Sequence, residues 1–351
     1  MTIIRRDPAP TLYLHIGSPK TGSSYIQTSL RLSREKLAEK GLIYPSGTEM
    51  SRLDERSWTA GNGIFLFSPK SKVDRYIETS LGRSVRGIVF SSESLLIGLS
   101  DPATRKRMAE ILRRFDMKNV RILVYLRDPI AYGVSYWLQM VKRHGYTSDL
   151  DTFLTETSFI QDKMKMTSEV LDFLSIQNGF EITALNYSYC KKDLLATVSN
   201  WLELEREVLV IPKAEKVNRS LDAGETFLQL ELNRILGPYA WFLAKSLTEG
   251  ITESSTGNPA PSIQLQESIW AETEPWIERL NHYLPTGQGL AFDRMEPKDD
   301  ARVFSFTDEQ LKLIADSLGG EIKKAWDSET KLMAFYRRVS DRIRKTFHSR
   351  G

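Results

Sequence analysis

Leu12-Tyr-Leu-His-Ile-Gly17-Ser-Pro-Lys20-Thr-Gly22-Ser-Ser-Tyr-Ile-Gln-Thr28 decides the fold: it reads as a buried strand, a loop bracketed by glycines, and the start of a helix. Gly17 and Gly22 stand five apart with Ser23 and Ser24 behind them, close to the nucleotide-binding pattern G-x-x-x-x-G-K-[ST]. One position fails. Ser23 stands where that pattern has lysine, and the only lysine, Lys20, lies three residues earlier, inside the loop. The backbone logic survives the change. Gly17 and Gly22 are expected to take turn conformations closed to other residues, and the amides of Thr21 to Ser24 open a helix whose first N–H groups face an anion. Thr21, Ser23 and Ser24 add hydroxyls there, and Pro19 stiffens the approach. The bland alternative is a Ser/Gly-rich turn capping an ordinary helix.

A second segment bears on the choice. Val120-Arg-Ile-Leu-Val-Tyr-Leu-Arg127 is a short apolar, β-branched run, the pattern of a central parallel strand, ending in a cation. Asp128 and Pro129 supply a cap and a first helical residue, which predicts a helix through about His144. Ser135 follows the Asp128 cap by seven residues, two turns, and so returns to the same helix face. Arg127 and Ser135 can therefore converge on one anion, for which a planar guanidinium suits a terminal phosphate better than an ammonium does. Taken singly, Arg127 also reads as an ion-paired surface arginine, and Ser135 as a small residue at a helix contact.

The run Pro19-Lys-Thr-Gly-Ser-Ser24 resembles the 5′-phosphosulfate loop of the sulfotransferases that use 3′-phosphoadenosine 5′-phosphosulfate, PAPS. Arg127-Asp-Pro-Ile-Ala-Tyr-Gly-Val-Ser135 resembles the same family's 3′-phosphate site. The resemblance covers about residues 11–220 and implies a sulfuryl transferase of bacterial, carbohydrate-directed type, with 3′-phosphoadenosine 5′-phosphate (PAP) as product. By it, Lys20 contacts the phosphosulfate near its bridging oxygen, Thr21, Gly22, Ser23 and Ser24 hold the 5′-phosphate, and Arg127 and Ser135 hold the 3′-phosphate. Asn218-Arg219-Ser220 resembles a family segment near the nucleotide, and Tyr187 to Leu204 the family's end-of-core pattern. The chain lacks the longer glycine-rich loop with which the phenol and steroid branch holds the 3′-phosphate, which favours the carbohydrate branch.

The chain's 351 residues, 41% of them hydrophobic, suffice for one large α/β domain with a helical extension. With 48 Lys and Arg against 45 Asp and Glu, the charge gives no case for bulk nucleic-acid binding, so anion affinity must be local. Cys190 is the only cysteine, which excludes an internal disulfide framework and a multi-cysteine zinc site. No apolar run approaches the ~18 residues of a membrane span, and the N-terminus lacks the apolar core of a signal peptide. A cytoplasmic protein is expected.

Strand-like runs at 11–17, 42–45, 87–92, 120–127 and 181–187 alternate with helical stretches. That alternation predicts an α/β fold, a P-loop-like doubly wound parallel sheet of about five strands flanked by helices, with its ligand at the carboxyl edge. The first helix is expected over 23–40, ending at Gly41. Beyond the core, 1–220, an extension over 221–351 reads as helices at about 222–248, 261–283 and 307–346. No strand-like run of comparable quality follows residue 211.

A transferase also needs a base. Ser91-Ser-Glu93 closes the third strand and brings Glu93 to the carboxyl edge, where it is the first candidate to deprotonate an acceptor hydroxyl; an ordinary strand-end glutamate is the alternative. His15, one residue before Ile16 on an apolar strand, is the second candidate and also reads as a core histidine. Arg52, Trp58, Asn62 and Tyr136 are candidates to contact a carbohydrate or glycolipid acceptor, though residues like the first three more often just fill a surface loop. Sulfuryl transfer through a loose transition state needs alignment and charge stabilisation, so no metal is expected. Arg337, Arg338, Arg342, Arg344, Lys345 and Arg350 alternate with Leu332, Phe335, Val339, Ile343 and Phe347 in a basic amphipathic pattern that reads either as a solvated helix or as a peripheral membrane contact. Two other functions remain open: a P-loop kinase or NTPase, and a catalytically silent nucleotide-binding scaffold.

Overall fold

The computed structural model describes residues 9–18, 20–45, 61–63, 66, 74–75, 77–79, 81, 85–212, 220–251, 259–296 and 306–348, with side chains through Thr330. Five strands among them, β1 (Thr11–His15), β2 (Leu42–Ile43), β3 (Gly87–Ser91), β4 (Val120–Leu126) and β5 (Phe180–Asn186), pair in the order β2-β3-β1-β4-β5. Every pairing is parallel. β1 lies at the centre, and the chain leaves it towards β2 and β3 on one side before crossing to β4 and β5 on the other. That reversal beside β1 is the topological switch point at which doubly wound sheets bind ligands.

The helices, in chain order, are α1 (Ser23–Leu32), α2 (Arg34–Glu39), α3 (Ser94–Ser100), α4 (Pro102–Arg114), α5 (Pro129–His144), α6 (Leu150–Glu156), α7 (Phe159–Ser175), α8 (Tyr187–Cys190), α9 (Leu194–Leu202), α10 (Ala223–Leu236), α11 (Trp241–Gly250), α12 (Ile263–Asn281) and α13 (Asp308–His348). Strand alternation divides the core in two. Leu12, Leu14, Ile88, Phe90, Ile122 and Val124 point to a layer filled from α3, α4, α7 and α12, whereas Tyr13, Val89, Leu123 and Tyr125 meet α1, α2 and α9 on the opposite face. Burial on both faces explains why β4 reads as one apolar run.

Two compact units can be distinguished by their contacts. The first takes in residues 1–137, 149–217 and 260–297 and holds the sheet; the second takes in 138–148, 218–259 and 298–351. Residues 260–297, which by sequence fall in the extension, are thus part of the sheet-bearing unit, where α12 packs on α7. In the second unit Leu221, Leu243, Ala244 and Leu247 form a small core with Leu313 and Ile314 of α13. Its α10 opens with a capping box, Asp222 and Glu225 exchanging side-chain-to-backbone bonds, and Gln310 Nε2 donates to both carboxylates at 3.1 and 2.9 Å.

The single helix expected over 23–40 is broken at Ser33. Ser33 Oγ donates to Ser29 O and accepts from the Val210 amide, both at 2.7 Å, so the serine closes α1 and starts α2. The stretch expected as one helix from about 222 breaks at Gly237-Pro238, because Pro238 has no N–H for the ladder and a 3-10 turn over Gly237–Ala240 intervenes. Among the described residues no helix is long and apolar enough to cross a membrane.

Candidate active site

The site grows from the end of β1. Gly22 caps α1 in the left-handed conformation, φ 78°, and no side chain caps the helix, so its first amides are left to the loop and whatever the loop holds. A Cβ at Gly22 would stand 2.4 Å from Leu194 Cδ1. Gly17 is a glycine for a different reason. It is absent from the positive-φ residues, but a Cβ there would meet Ser23 Oγ at 2.6 Å and the His15 ring at 3.4 Å. The expectation of two turn conformations therefore holds for Gly22, while Gly17 serves close packing.

The hydroxyls are not equivalent. Thr21 is fully buried and donates to Ser18 O at 2.6 Å, which pins the loop. Ser23 is buried and makes only a long 3.5 Å contact to Ser18 O. Ser24, partly exposed in the first turn, receives the Thr28 hydroxyl on its carbonyl at 2.8 Å. Lys20 itself has φ 67°, a left-handed backbone unusual for a residue with a side chain.

Arg127, directly after β4, reaches this loop. Its Nη1 donates to Lys20 O at 3.0 Å, and its guanidinium lies 5.5 Å from the centre of the Tyr187 ring. Burial pulls the Arg127 pKa down, with Asp128 and Tyr187 acting against it, and the guanidinium remains a cation. Asp128 caps α5 as expected, accepting from the Ala131 amide at 2.8 Å. Burial raises the Asp128 carboxyl, opposed by that bond and by Arg127. Ser135 lies on α5, partly exposed.

Glu93 stands partly buried immediately before α3, two residues beyond β3, so it emerges at the carboxyl edge of the sheet. Its charge is felt by two buried groups, Tyr132 of α5 and Lys163 of α7. Tyr132 lies 6.1 Å from Tyr136, centre to centre, and Tyr136 packs 4.9 Å from Phe159, an aromatic cluster that Phe153 completes. His15 is fully buried, with Nδ1 and Ser91 Oγ sharing a 2.7 Å hydrogen bond across the β1–β3 pair. Its Nε2 has no hydrogen-bond partner among the described residues, and burial pulls the imidazole down to about 4, so the ring is neutral at pH 7.

The other expected residues divide. Asn62 is fully buried: Nδ2 donates to Pro45 O and Val89 O at 3.0 and 2.9 Å, and Oδ1 accepts from the Ser91 amide at 2.7 Å. Expected at the acceptor, it instead clamps the end of β3, since its amide is spent on the backbone. Arg52, Trp58, Asn218 and Arg219 lie outside the described residues; Ser220 is described and exposed. The side chains of the basic tail from Arg337 onward also lie outside them. Lys163 escaped the sequence reading, and the signal was present: it falls at helical spacing among Ile160, Met164, Leu171 and Leu174, on the face that α7 buries.

The fold is a P-loop-like α/β sheet, and the Lys20 loop and Arg127 meet at its switch point. No protein-family model matches the chain, and no curated protein matches it. Among solved structures it is similar to a sulfotransferase from Alicyclobacillus acidocaldarius, with 15% identity and a TM-score of 0.41 over 80% of this chain and 96% of that one. It is also similar to a retinol dehydratase in complex with androsterone and the inactive cofactor PAP, with 13% identity and a TM-score of 0.30 over 82% of this chain and 84% of that one.

Proposed function

We propose that this protein transfers a sulfuryl group from PAPS, in line and without a metal, to a hydroxyl or an amine of a carbohydrate or glycolipid acceptor. The observation that supports this most is the 3.0 Å bond from Arg127 Nη1 to Lys20 O: two motifs 107 residues apart in sequence meet at one loop. A nucleoside triphosphate site gives no reason for that second motif. The residues present fit a donor with phosphate groups at both ends, since an uncapped helix start, Gly22 and a cation-bearing loop stand beside a partly buried arginine.

In this reading the amides of Thr21 to Ser24 hold the 5′-phosphate, and Arg127 and Ser135 hold the 3′-phosphate, with Asn218, Arg219 and Ser220 beside the nucleotide. PAPS, when bound, supplies a sulfuryl group on a phosphate leaving group. Lys20 offsets the charge that builds on the leaving oxygen, and Glu93 takes the proton of the acceptor hydroxyl. Tyr136 borders the acceptor. His15, buried and neutral, supports the loop from below and is the second choice as base. A cytoplasmic location suits the single, buried Cys190, and a glycolipid acceptor suits peripheral contact through the basic end of α13.

Calorimetric titration with PAP and, separately, with ATP and magnesium tests the reading. PAP is expected to bind, and Arg127→Ala to weaken it at least tenfold, the equivalent of losing one charge-assisted contact of about 1.4 kcal/mol or more. Tighter binding of magnesium ATP, unaffected by Arg127→Ala, refutes the proposal and favours an NTPase. Sulfation of a panel of glycans with the same enzyme then names the acceptor.

A further inference from the structure

Helix α7 turns an apolar stripe to the core, and Lys163 sits within it, 7% exposed, beside Ile160, Met164 and Thr167. Its Nζ has no hydrogen-bond partner among the described residues. A desolvated ammonium without a partner is costly, and an unbranched apolar side chain would pack there without that cost. A purely structural account of Lys163 therefore fails.

Its surroundings point to one group. α7 packs against α3, α12 and β5. From the α3 side comes Glu93, the one charge among the described residues that acts on Lys163, and it draws the lysine pKa up against the burial that lowers it. From α12, Glu272 receives Gln161 Nε2 and Ser268 Oγ, and Arg279 is bound to Asp172. From β5, Glu181 is paired with Arg121, and within α7 Lys165 lies over Trp276 while Asp162 receives the Ser158 hydroxyl. Tyr132 of α5 is the other buried group that feels Glu93.

We propose that Lys163 is the positioning residue of Glu93: where α3 packs on α7, its buried ammonium keeps the Glu93 carboxyl ionised and ready to accept a proton. A partly buried carboxyl tends to hold its proton, and a nearby cation reverses that tendency. The proposal rests on the reading of Glu93 as the base. It adds the reason that this glutamate is a base at neutral pH, and it assigns the lysine no contact with substrate.

The test is the pH dependence of kcat for wild type, Lys163→Met, Lys163→Gln, Lys163→Arg and Glu93→Gln with PAPS and an unsulfated acceptor that the glycan panel shows to be a substrate. Wild type is expected to lose activity on the acid side as Glu93 protonates. In Lys163→Met and Lys163→Gln that limb moves up by about one pH unit or more, a loss of roughly tenfold at the foot of the curve that largely recovers by pH 8.5. Lys163→Arg keeps the wild-type limb. A second readout needs no turnover: burial brings Lys163 down to about 8, whereas the unfolded lysine holds its proton to near 10.5, so the unfolded chain binds more protons between those values. Urea stability of wild type should therefore rise across that window, and Lys163→Met should lack the rise. Limbs that superimpose in wild type and Lys163→Met overturn the proposal, as does a loss of the limb in Lys163→Arg equal to that in Lys163→Met. Near-normal turnover in Glu93→Gln is a separate failure, that of the base itself, and shows in a different variant.

Discussion

Acid should destabilise this protein through His15. The imidazole is fully buried beneath the loop, and burial pulls its pKa from 6.5 to about 4. The sign follows from proton counts. Below pH 6.5 the unfolded chain takes up a proton at this position and the folded chain does not, so stability is complete above 6.5 and falls as the pH drops towards 4. A gap of about 2.5 pKa units is worth about 3 kcal/mol when fully expressed, and about 2.5 kcal/mol at pH 4.5. That is a large share of the 5–15 kcal/mol typical of a domain. The assay is urea unfolding of wild type and His15→Asn from pH 7.5 to 4.5, with the asparagine retaining a partner for Ser91 Oγ. The difference between the two curves cancels every other titrating group, and it should narrow or reverse by about 2.5 kcal/mol over that range. In parallel, the His15 imidazole resonance should show no titration above about pH 5. Curves that stay parallel within about 0.5 kcal/mol, a margin set by ordinary additivity, would refute a buried neutral His15.

Two further outcomes concern the loop. Gly22→Ala forces a side chain into φ 78° and a methyl to within 2.4 Å of Leu194 Cδ1, so it should cost about 1–3 kcal/mol of stability and weaken PAP binding; chemical denaturation and calorimetry read both. Lys20→Ala should lower kcat by about 10² to 10³ with PAP affinity changed far less, since in the proposed mechanism the ammonium acts on charge that develops during transfer; a variant retaining half the wild-type rate contradicts that role.

The sheet was legible because its signal is local. Strands expected at 87–92 and 120–127 occur at Gly87–Ser91 and Val120–Leu126, since a parallel strand buried on both faces must be apolar throughout and bounded by turn residues. The helix from Pro129 to His144 was equally plain, its start marked by Asp128 and Pro129. What escaped depends on contacts made far away in sequence. Ser33 breaks the first helix where the Val210 amide, 177 residues on, donates to its hydroxyl oxygen. Asn62 looked like a surface amide, and only its bonds to Pro45, Val89 and Ser91 show that it belongs to the scaffold.

The loop shows the same boundary between local and distant causes, and it bears on mechanism. Sequence predicts a turn there, but not that Lys20 adopts φ 67°, a conformation that costs a non-glycine residue of the order of 1 kcal/mol. Such a backbone persists only where something else holds it, and the holder on view is Arg127, whose Nη1 takes the Lys20 carbonyl at 3.0 Å. The guanidinium expected at one phosphate therefore also sets the peptide that carries the lysine expected at the other. Neutralising Arg127 removes its bond to the Lys20 peptide together with the proposed anion contact, so the two motifs are expected to act as one unit. Their effects in a double substitution of Lys20 and Arg127 should then fall short of the sum of the two single effects.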